Sequence, residues 1–271
     1  MNRPLDPRAF AAEALAALDA GGAIAPFSAT CPHFDARAAS EAAAAFRALR
    51  VARGERPVGR KIGFTNRGIW AEYGVAAPIW GHVYDTTLLE TGDGAHVDLG
   101  RLPEPRIEPE IVLGLAVAPS PGMTLAELAG CIGWVSHGFE IVQSVFPGWR
   151  FAGVDCMANG AMHAMLLCGP RRTVTPDEAG TLAETLSAVA VTLSRNGEVV
   201  DRGSGANVLD GPVQALSHLV ETLRDDPFNP PLGAGELVST GTITRAFPVR
   251  QGEIWSTEID GFSLPGLAVR F

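Results

Sequence analysis

The sequence contains a single lysine. Set against 20 arginines, Lys61 is the one basic side chain of its class that can release a proton when desolvated, because arginine holds its charge at any ordinary pH. Cysteine is also sparse. Cys31, Cys131, Cys156 and Cys168 lie far apart with no C-x-x-C pair, which argues against a zinc site or a disulfide frame and for free thiols in a reducing compartment. No uninterrupted apolar run approaches the roughly 18 residues that a membrane helix needs. Met1 to Pro7 show neither the apolar core nor the cleavage pattern of a signal peptide, so a cytoplasmic location is expected. Positive charge is in deficit: a formal net charge of −9 argues against a nucleic-acid or anionic-membrane surface. An anionic small molecule would then have to be held by a local cation. Glycine-bearing turns such as Gly203-Ser204-Gly205 occur, but no G-x-G-x-x-G joins a strand to a helix, and dinucleotide binding is not expected. The five tryptophans stand apart from any basic patch and read as core or pocket walls.

What is present is a core. The 271 residues are 46% apolar with 31 glycines, enough for one large domain or for one domain with a smaller appendage. Residues 7–20 are alanine-rich with helical spacing and are closed by Gly21-Gly22. Ser40 is a candidate cap for a second helix from Glu41 to about Arg53, and Asn66 for a brief one over Arg67 to Tyr73, ended by Gly74. Val58 to Phe64 reads as a short strand. A helical N-terminal subdomain is expected over 1–75 and the main domain over 76–271.

Beyond residue 79 the pattern turns mainly to strands: 79–84, 107–117, 132–142, 163–168, 237–240, 254–259 and 267–271. Leu186–Arg195 and Val199–Arg202 read as a hairpin around Asn196-Gly197. Helices are expected at 124–129 and 212–223. Many strands with few helices between them predict an α+β fold rather than a doubly wound sheet.

The chemistry concentrates in Arg106-Ile107-Glu108-Pro109-Glu110-Ile111-Val112-Leu113. Residues i and i+2 of an extended chain share a face, so Glu108 and Glu110 project side by side from an apolar strand. Carboxylates that close repel unless a cation or a shared proton stabilises them. A hard divalent ion would suit the pair, and an edge strand with its polar face in water is the plainer alternative. A third acid, Glu140, lies in the apolar run Gly133 to Val142, where a lone carboxylate would be costly without a partner. Lys61 and Asp85, each beside a glycine-bearing strand end, are further polar groups that could converge there.

With these residues in view, the chain resembles the 2-oxopent-4-enoate hydratase and 4-oxalocrotonate decarboxylase group of the fumarylacetoacetate hydrolase superfamily. The resemblance runs from Ile24-Ala25-Pro26-Phe27-Ser28 through Gly59-Arg60-Lys61-Ile62-Gly63-Phe64-Thr65, the Gly81 to Asp85 segment, Glu108-Pro109-Glu110-Ile111 and Phe139-Glu140-Ile141-Val142. Asn196-Gly197-Glu198, Leu209-Asp210-Gly211-Pro212 and Ser239-Thr240-Gly241-Thr242 extend it toward the C-terminus. It implies a mixed β-roll, Mg²⁺ or Mn²⁺ on Glu108, Glu110 and Glu140, proton transfer by Lys61 and Asp85, backbone contacts to substrate from Thr240, Gly241 and Thr242, and a homo-oligomer. Two segments depart from the group. Asp-Ser-Arg is replaced by Gln143-Ser144-Val145, and Asp-Asn-Ala-Ser by Asn159-Gly160-Ala161-Met162, followed by His163. These positions line the pocket in the group, so Ser144 and His163 are candidate substrate contacts. His163 could also be a new proton donor, and a satisfied core histidine is the favoured reading.

The activity implied is hydration of a 2-hydroxy-2,4-dienoate to a 4-hydroxy-2-oxo acid. A 2-oxo acid can chelate one metal ion through its carboxylate and keto oxygens, and acid/base groups then move the protons. The runner-up is decarboxylation of 4-oxalocrotonate, which would call for an arginine at the far end of the pocket, with Arg67, Arg150 and Arg245 as candidates. Hydrolysis of an acylpyruvate is disfavoured, because the Thr65 to Tyr73 segment holds Glu72 but no histidine. A metal-stabilised protein without activity is the reading outside enzymes.

Overall fold

A computed structural model describes residues 3–73, 75, 77–92 and 94–271. Gly74, expected to end the short helix, and the side chain of Glu72 lie outside the described residues. The N-terminal layer is helical: α1 (Pro7–Ala20), α2 (Phe27–Thr30) and α3 (Ala36–Ala52). Asp6 caps α1 by accepting from the amides of Arg8 and Ala9, both at 3.1 Å, and Gly21 closes it with a φ of 61°. Helix α3 starts five residues before the expected Glu41. Asp35 caps it by accepting from the Ala38 amide at 2.9 Å, while Ser40 turns its hydroxyl to Asp226 at 2.8 Å.

Then come β1 (Pro57–Gly63), α4 (Trp70–Tyr73), β2 (Ile79–Tyr84), β3 (Leu88–Glu90), β4 (Gly94–His96), β5 (Arg106–Leu115), α5 (Leu125–Gly130) and β6 (Ile132–Val142). The chain continues through α6 (Gly153–Ala158), β7 (His163–Cys168), β8 (Arg172–Thr173), α7 (Ala179–Ala188), β9 (Ala190–Arg195) and β10 (Glu198–Ser204). It closes with α8 (Pro212–Arg224), β11 (Leu237–Thr242), β12 (Phe247–Pro248), β13 (Ile254–Asp260) and β14 (Ala268–Arg270). The expected hairpin forms around Asn196-Gly197, whose φ values of 53° and 84° give the primed turn. Its first strand is shorter than expected, because Leu186 to Ala188 finish α7, where Leu182 and Leu186 bury one helical face.

Two sheets carry the fold. The larger runs β2-β1-β11-β5-β6-β7-β3, with β12 on β5 and β8 on β6, and it curls until β2 lies against β7. The smaller runs β10-β9-β13-β14-β4, and Trp255, Phe139, Ile141 and Leu193 fill the space between the sheets. Helices α5, α7 and α8 pack on the same face of the larger sheet farther along its strands, against Ile111, Leu113 and Val135. Helices α1 to α3 pack with α6 on Phe10, Phe27, Phe146 and Cys156. Strand β1 lies within the expected helical subdomain, yet it pairs in parallel with β11 and antiparallel with β2 inside the larger sheet. The helical layer therefore ends before residue 57, and Lys61 belongs to the sheet. No helix among the described residues is long and apolar enough to cross a membrane.

Candidate active site

Register builds the site. Strands β5 and β6 pair so that Glu108 stands opposite Glu140, and Glu110 two residues on stands opposite Gly138. Strand β11 brings Thr242 opposite Glu110, and β1 places Lys61 beside Ser239. One ligand oxygen from each of Glu108, Glu110 and Glu140 lies within 4.8 Å of the others. Glu110 and Glu140 are fully buried, while Glu108 keeps part of its surface open to a cleft. Lys61, 3% exposed, sets its Nζ 3.1 Å from Glu140 Oε2 and donates to the Ala161 carbonyl at 3.1 Å.

Each of the two buried glutamates is anchored by one oxygen. Glu110 Oε2 accepts from Ser239 Oγ at 2.6 Å and from the Gly241 amide at 2.8 Å. Glu140 Oε1 pairs with His163 Nδ1 at 2.8 Å, and His163 Nε2 meets Thr87 Oγ1 at 2.9 Å. Of the remaining oxygens, Glu110 Oε1 is buried with no hydrogen-bond partner among the described residues, and Glu140 Oε2 has its ion pair with Lys61. An unpartnered carboxylate oxygen is rare in a folded interior, and this one belongs to the cluster. With all three carboxylates ionised, one ammonium would leave a double negative charge, and hard oxygen donors with lone pairs to spare fit a divalent cation such as Mg²⁺ or Mn²⁺.

The titration of the cluster reflects this crowding. Burial pushes Glu108 up to about 7, with Lys61 pulling down and Glu140 pushing up. Burial and the two neighbouring carboxylates hold Glu110 well above the usual range. Glu140 would also rise on burial, but Lys61 and His163 outweigh that and keep it low. Burial alone would depress Lys61, whereas the three glutamates hold it above its ordinary value. Burial lowers His163 despite Glu140 beside it. Lys61 is thus the charged member and His163 the neutral one.

The bulge in β11 between Ser239 and Thr242 lets the Gly241 amide reach Glu110. Gly241 has a φ of 110°, and a Cβ there would lie 2.1 Å from Thr65 Oγ1, so only glycine fits. Opposite, Ala161 and Met162 both take left-handed φ values, 57° and 63°, in the loop that aims the Ala161 carbonyl at Lys61.

The cleft above the cluster, enclosing ≈ 600 Å³ including its open mouth, is walled by Phe64, Ile79, Val142, Trp149, Phe151 and Met162. Lys61, Glu108, Thr242 and Arg106 supply its polar lining. Of the expected substrate contacts, Thr242 lines the cleft. Thr240 turns its hydroxyl to the Ile111 carbonyl at 2.9 Å, and Gly241 spends its amide on Glu110. Ser144 closes a local turn, donating to the Phe146 carbonyl at 2.7 Å, and His163 faces Glu140. Asp85 is not brought to the cluster. Gly81 is the β2 residue opposite Lys61, and Asp85 lies four residues on, roughly 13 Å along an extended chain. Its carboxylate accepts from the Arg56 amide and Nε, both at 2.9 Å, which hold it below the usual carboxylate range.

Arg106 was not singled out from the sequence, although it shares the alternation that pairs Glu108 with Glu110. Its guanidinium sits 4.2 Å from the Trp149 ring centre and meets no carboxylate among the described residues. Ser239 and Thr87 were missed because hydroxyls that brace a carboxylate carry no spacing signal.

A family model described as the C-terminal region of fumarylacetoacetate (FAA) hydrolase matches residues 91–266. The chain belongs to the fumarylacetoacetate hydrolase family. Within that family it is 33% identical over 242 residues to a 2-keto-4-pentenoate hydratase of Burkholderia vietnamiensis, covering 89% of this chain and 88% of the relative. It is 30% identical over 220 residues to a 4-oxalocrotonate decarboxylase of Pseudomonas putida, covering 81% and 79%. The solved structure of 4-oxalocrotonate decarboxylase from Pseudomonas putida G7, complexed with magnesium and adipate, superposes with a TM-score of 0.89 at 28% identity over the whole of both chains. The mixed fold expected from the resemblance is the one observed, with the helical layer shorter than expected.

Proposed function

We propose that this family member is a divalent-metal-dependent hydratase that adds water to a 2-hydroxy-2,4-dienoate, giving a 4-hydroxy-2-oxo acid. One observation carries the reading. Glu110 and Glu140 each have one oxygen anchored, and their other buried oxygens, Glu110 Oε1 without a hydrogen-bond partner among the described residues and Glu140 Oε2 beside Lys61, belong to one cluster with Glu108. Glu108, Glu110 and Glu140 would hold Mg²⁺ or Mn²⁺, which when bound supplies a Lewis acid for the 2-oxo acid end of the substrate. Lys61 holds a proton at Nζ, aligned by Ala161 and Glu140, within a cleft whose walls are mainly apolar. Asp85 takes no part in this reading. Four buried free cysteines and the hydratase likeness support a cytoplasmic enzyme, and a homo-oligomer is proposed on the likeness alone.

A second reading, decarboxylation of a six-carbon 2-oxo diacid, is favoured by Arg106. It lies one two-residue strand step, roughly 7 Å, from Glu108 and makes no ion pair with a carboxylate among the described residues. A second substrate carboxylate could meet it there. Ultraviolet turnover of 2-hydroxypenta-2,4-dienoate and of 2-hydroxymuconate, in Mg²⁺ and then in EDTA with a parallel CO₂ assay, separates the two. Metal-dependent loss of the dienoate without CO₂ is the expected result. CO₂ released from the muconate would move the assignment to the decarboxylase, and no turnover of either would refute both.

A further inference from the structure

We propose that His163 is a positioning residue that fixes which oxygen of Glu140 serves the metal, through a directed hydrogen-bond chain beginning at Thr87. The inference rests on the metal-site reading above. It concerns a position in a segment where this chain departs from the pattern it otherwise resembles.

The direction of the chain follows from its donors. Opposite an ionised carboxylate, His163 Nδ1 must carry the proton and donate to Glu140 Oε1 across 2.8 Å. In the neutral ring, Nε2 is then an acceptor and takes the Thr87 hydroxyl proton at 2.9 Å, in preference to the Tyr84 carbonyl, which lies 3.2 Å from the same hydroxyl. Thr87 Oγ1 in turn accepts from the Tyr84 amide at 3.1 Å, and the Thr87 carbonyl accepts from the Leu166 amide at 2.8 Å. Each member is therefore tied to backbone or to the next. The β6–β7 pairing shifts register between Ile141 and Val142, where Val142 meets His163, and this swings the ring toward Glu140. His163 is 4% exposed with both ring nitrogens engaged, and it does not line the cleft, so it has no free atom for substrate.

The consequence lies in the other oxygen. With Oε1 occupied, only Oε2 of Glu140 is free toward Glu108, Glu110 and Lys61. His163 does for Glu140 what Ser239 and Gly241 do for Glu110. Groups that orient a ligand in this way are worth 10- to 100-fold in metal affinity. A histidine that merely fills core volume would contribute stability without this coupling.

The test is Mn²⁺ binding, followed by the paramagnetic resonance signal of the free ion, in the full-length protein and four variants. Glu110→Gln serves as the ligand-loss control. His163→Leu removes the donor, Thr87→Val removes the group that sets the tautomer, and His163→Asn keeps an N–H near the Nδ1 position. Urea midpoints in EDTA report folding separately. The expected result is Mn²⁺ affinity lowered 10- to 100-fold in His163→Leu and less in Thr87→Val, with His163→Asn within about threefold of the parent. Substrate KM should rise at limiting metal while kcat at saturating metal stays near the parental value. Parental affinity in His163→Leu, or equal losses in the leucine and asparagine variants, would overturn the positioning role while leaving the metal site intact. If His163→Leu fails to fold, Thr87→Val carries the test, and parental affinity there overturns the proposal. A parent protein that binds Mn²⁺ no better than Glu110→Gln would overturn the metal-site reading itself.

Discussion

Acid should weaken this protein through His82, a histidine that is not a member of the carboxylate cluster. His82 lies on β2 opposite Arg60, is 5% exposed, and has an Nε2 with no hydrogen-bond partner. Trp80 and Tyr84 flank its ring at centroid distances of 5.2 and 6.1 Å, while Arg60 and Arg47 supply positive charge nearby. Burial, with the two arginines adding to it, pushes His82 down to about 2, against 6.5 for a free side chain. The folded state thus keeps this ring neutral where the unfolded chain binds a proton. A depressed folded pKa gives stability that is complete above pH 6.5 and is lost as pH falls below it. At pH 5 the gap to the unfolded value is about 1.5 pH units, or about 2 kcal/mol at 1.36 kcal/mol per unit. His137, buried and pushed down to about 4, adds a loss of similar size. Urea unfolding at pH 7.5 and 5.0, with EDTA in both buffers, should show the parent losing about 4 kcal/mol from these two rings, with other groups superimposed. His82→Leu should lose about 2 kcal/mol less over the same interval, since carboxylates and His137 act equally in both proteins. Because it also removes a buried, unpartnered polar atom, it should cost little at pH 7.5. An identical pH-dependent loss in parent and variant would refute the reasoning, because the ring would then be taking up its proton in the folded state.

Other perturbations give separable outcomes. Lys61→Arg keeps a cation beside Glu140 but not one that can release its proton, so kcat should fall 10²- to 10⁴-fold while Mn²⁺ binding persists; steady-state kinetics with a binding titration checks this. Ser239→Ala leaves Glu110 Oε2 with only the Gly241 amide, and metal affinity should drop about tenfold by calorimetry with little change in the EDTA urea midpoint. Asp155→Ala strips a buried carboxylate from the amides of Ser28 and Ala152 and the Ser28 hydroxyl. Stability should fall by about 3 kcal/mol in urea with the metal affinity preserved.

The carboxylate cluster was legible in the sequence because it obeys strand periodicity. Glu108 and Glu110 had to share a face, and Glu140 in an apolar strand had to find a partner. The lone lysine was legible by its rarity. What was not legible depends on register between distant strands. Sequence order sets Asp85 near the same glycines as Lys61, but antiparallel pairing of β1 with β2 carries it to the far end of the hairpin and onto Arg56. Arg106 could have been read from the alternation that revealed Glu108, and its cleft-lining place gives it weight that Arg67, Arg150 and Arg245 lack. The boundary near residue 75 followed a change from helical to alternating pattern. Strand β1 is too short and glycine-bearing to announce its place in the sheet, which parallel pairing with β11 decides from 180 residues away. The early end of the first hairpin strand reflects another ambiguity: Leu186 to Ala188 suit either a buried strand or the last turn of a helix, and packing chose the helix.

The way the site is divided along the chain has a practical meaning. All three glutamates, Ser239 and Gly241 lie within residues 91–266, whereas Lys61, Thr87 and the Phe64 and Ile79 walls come from the first 90 residues. The proposed metal-holding and proton-handling parts are therefore separate tracts that meet only when β1 docks beside β11. Grafting the first 90 residues of a relative onto the remainder would exchange the lysine's surroundings and part of the substrate wall while leaving the three metal-holding carboxylates in place. A chain cut before β5 would keep those carboxylates but lose the lysine ammonium beside them, which supplies one of the three positive charges that would balance them.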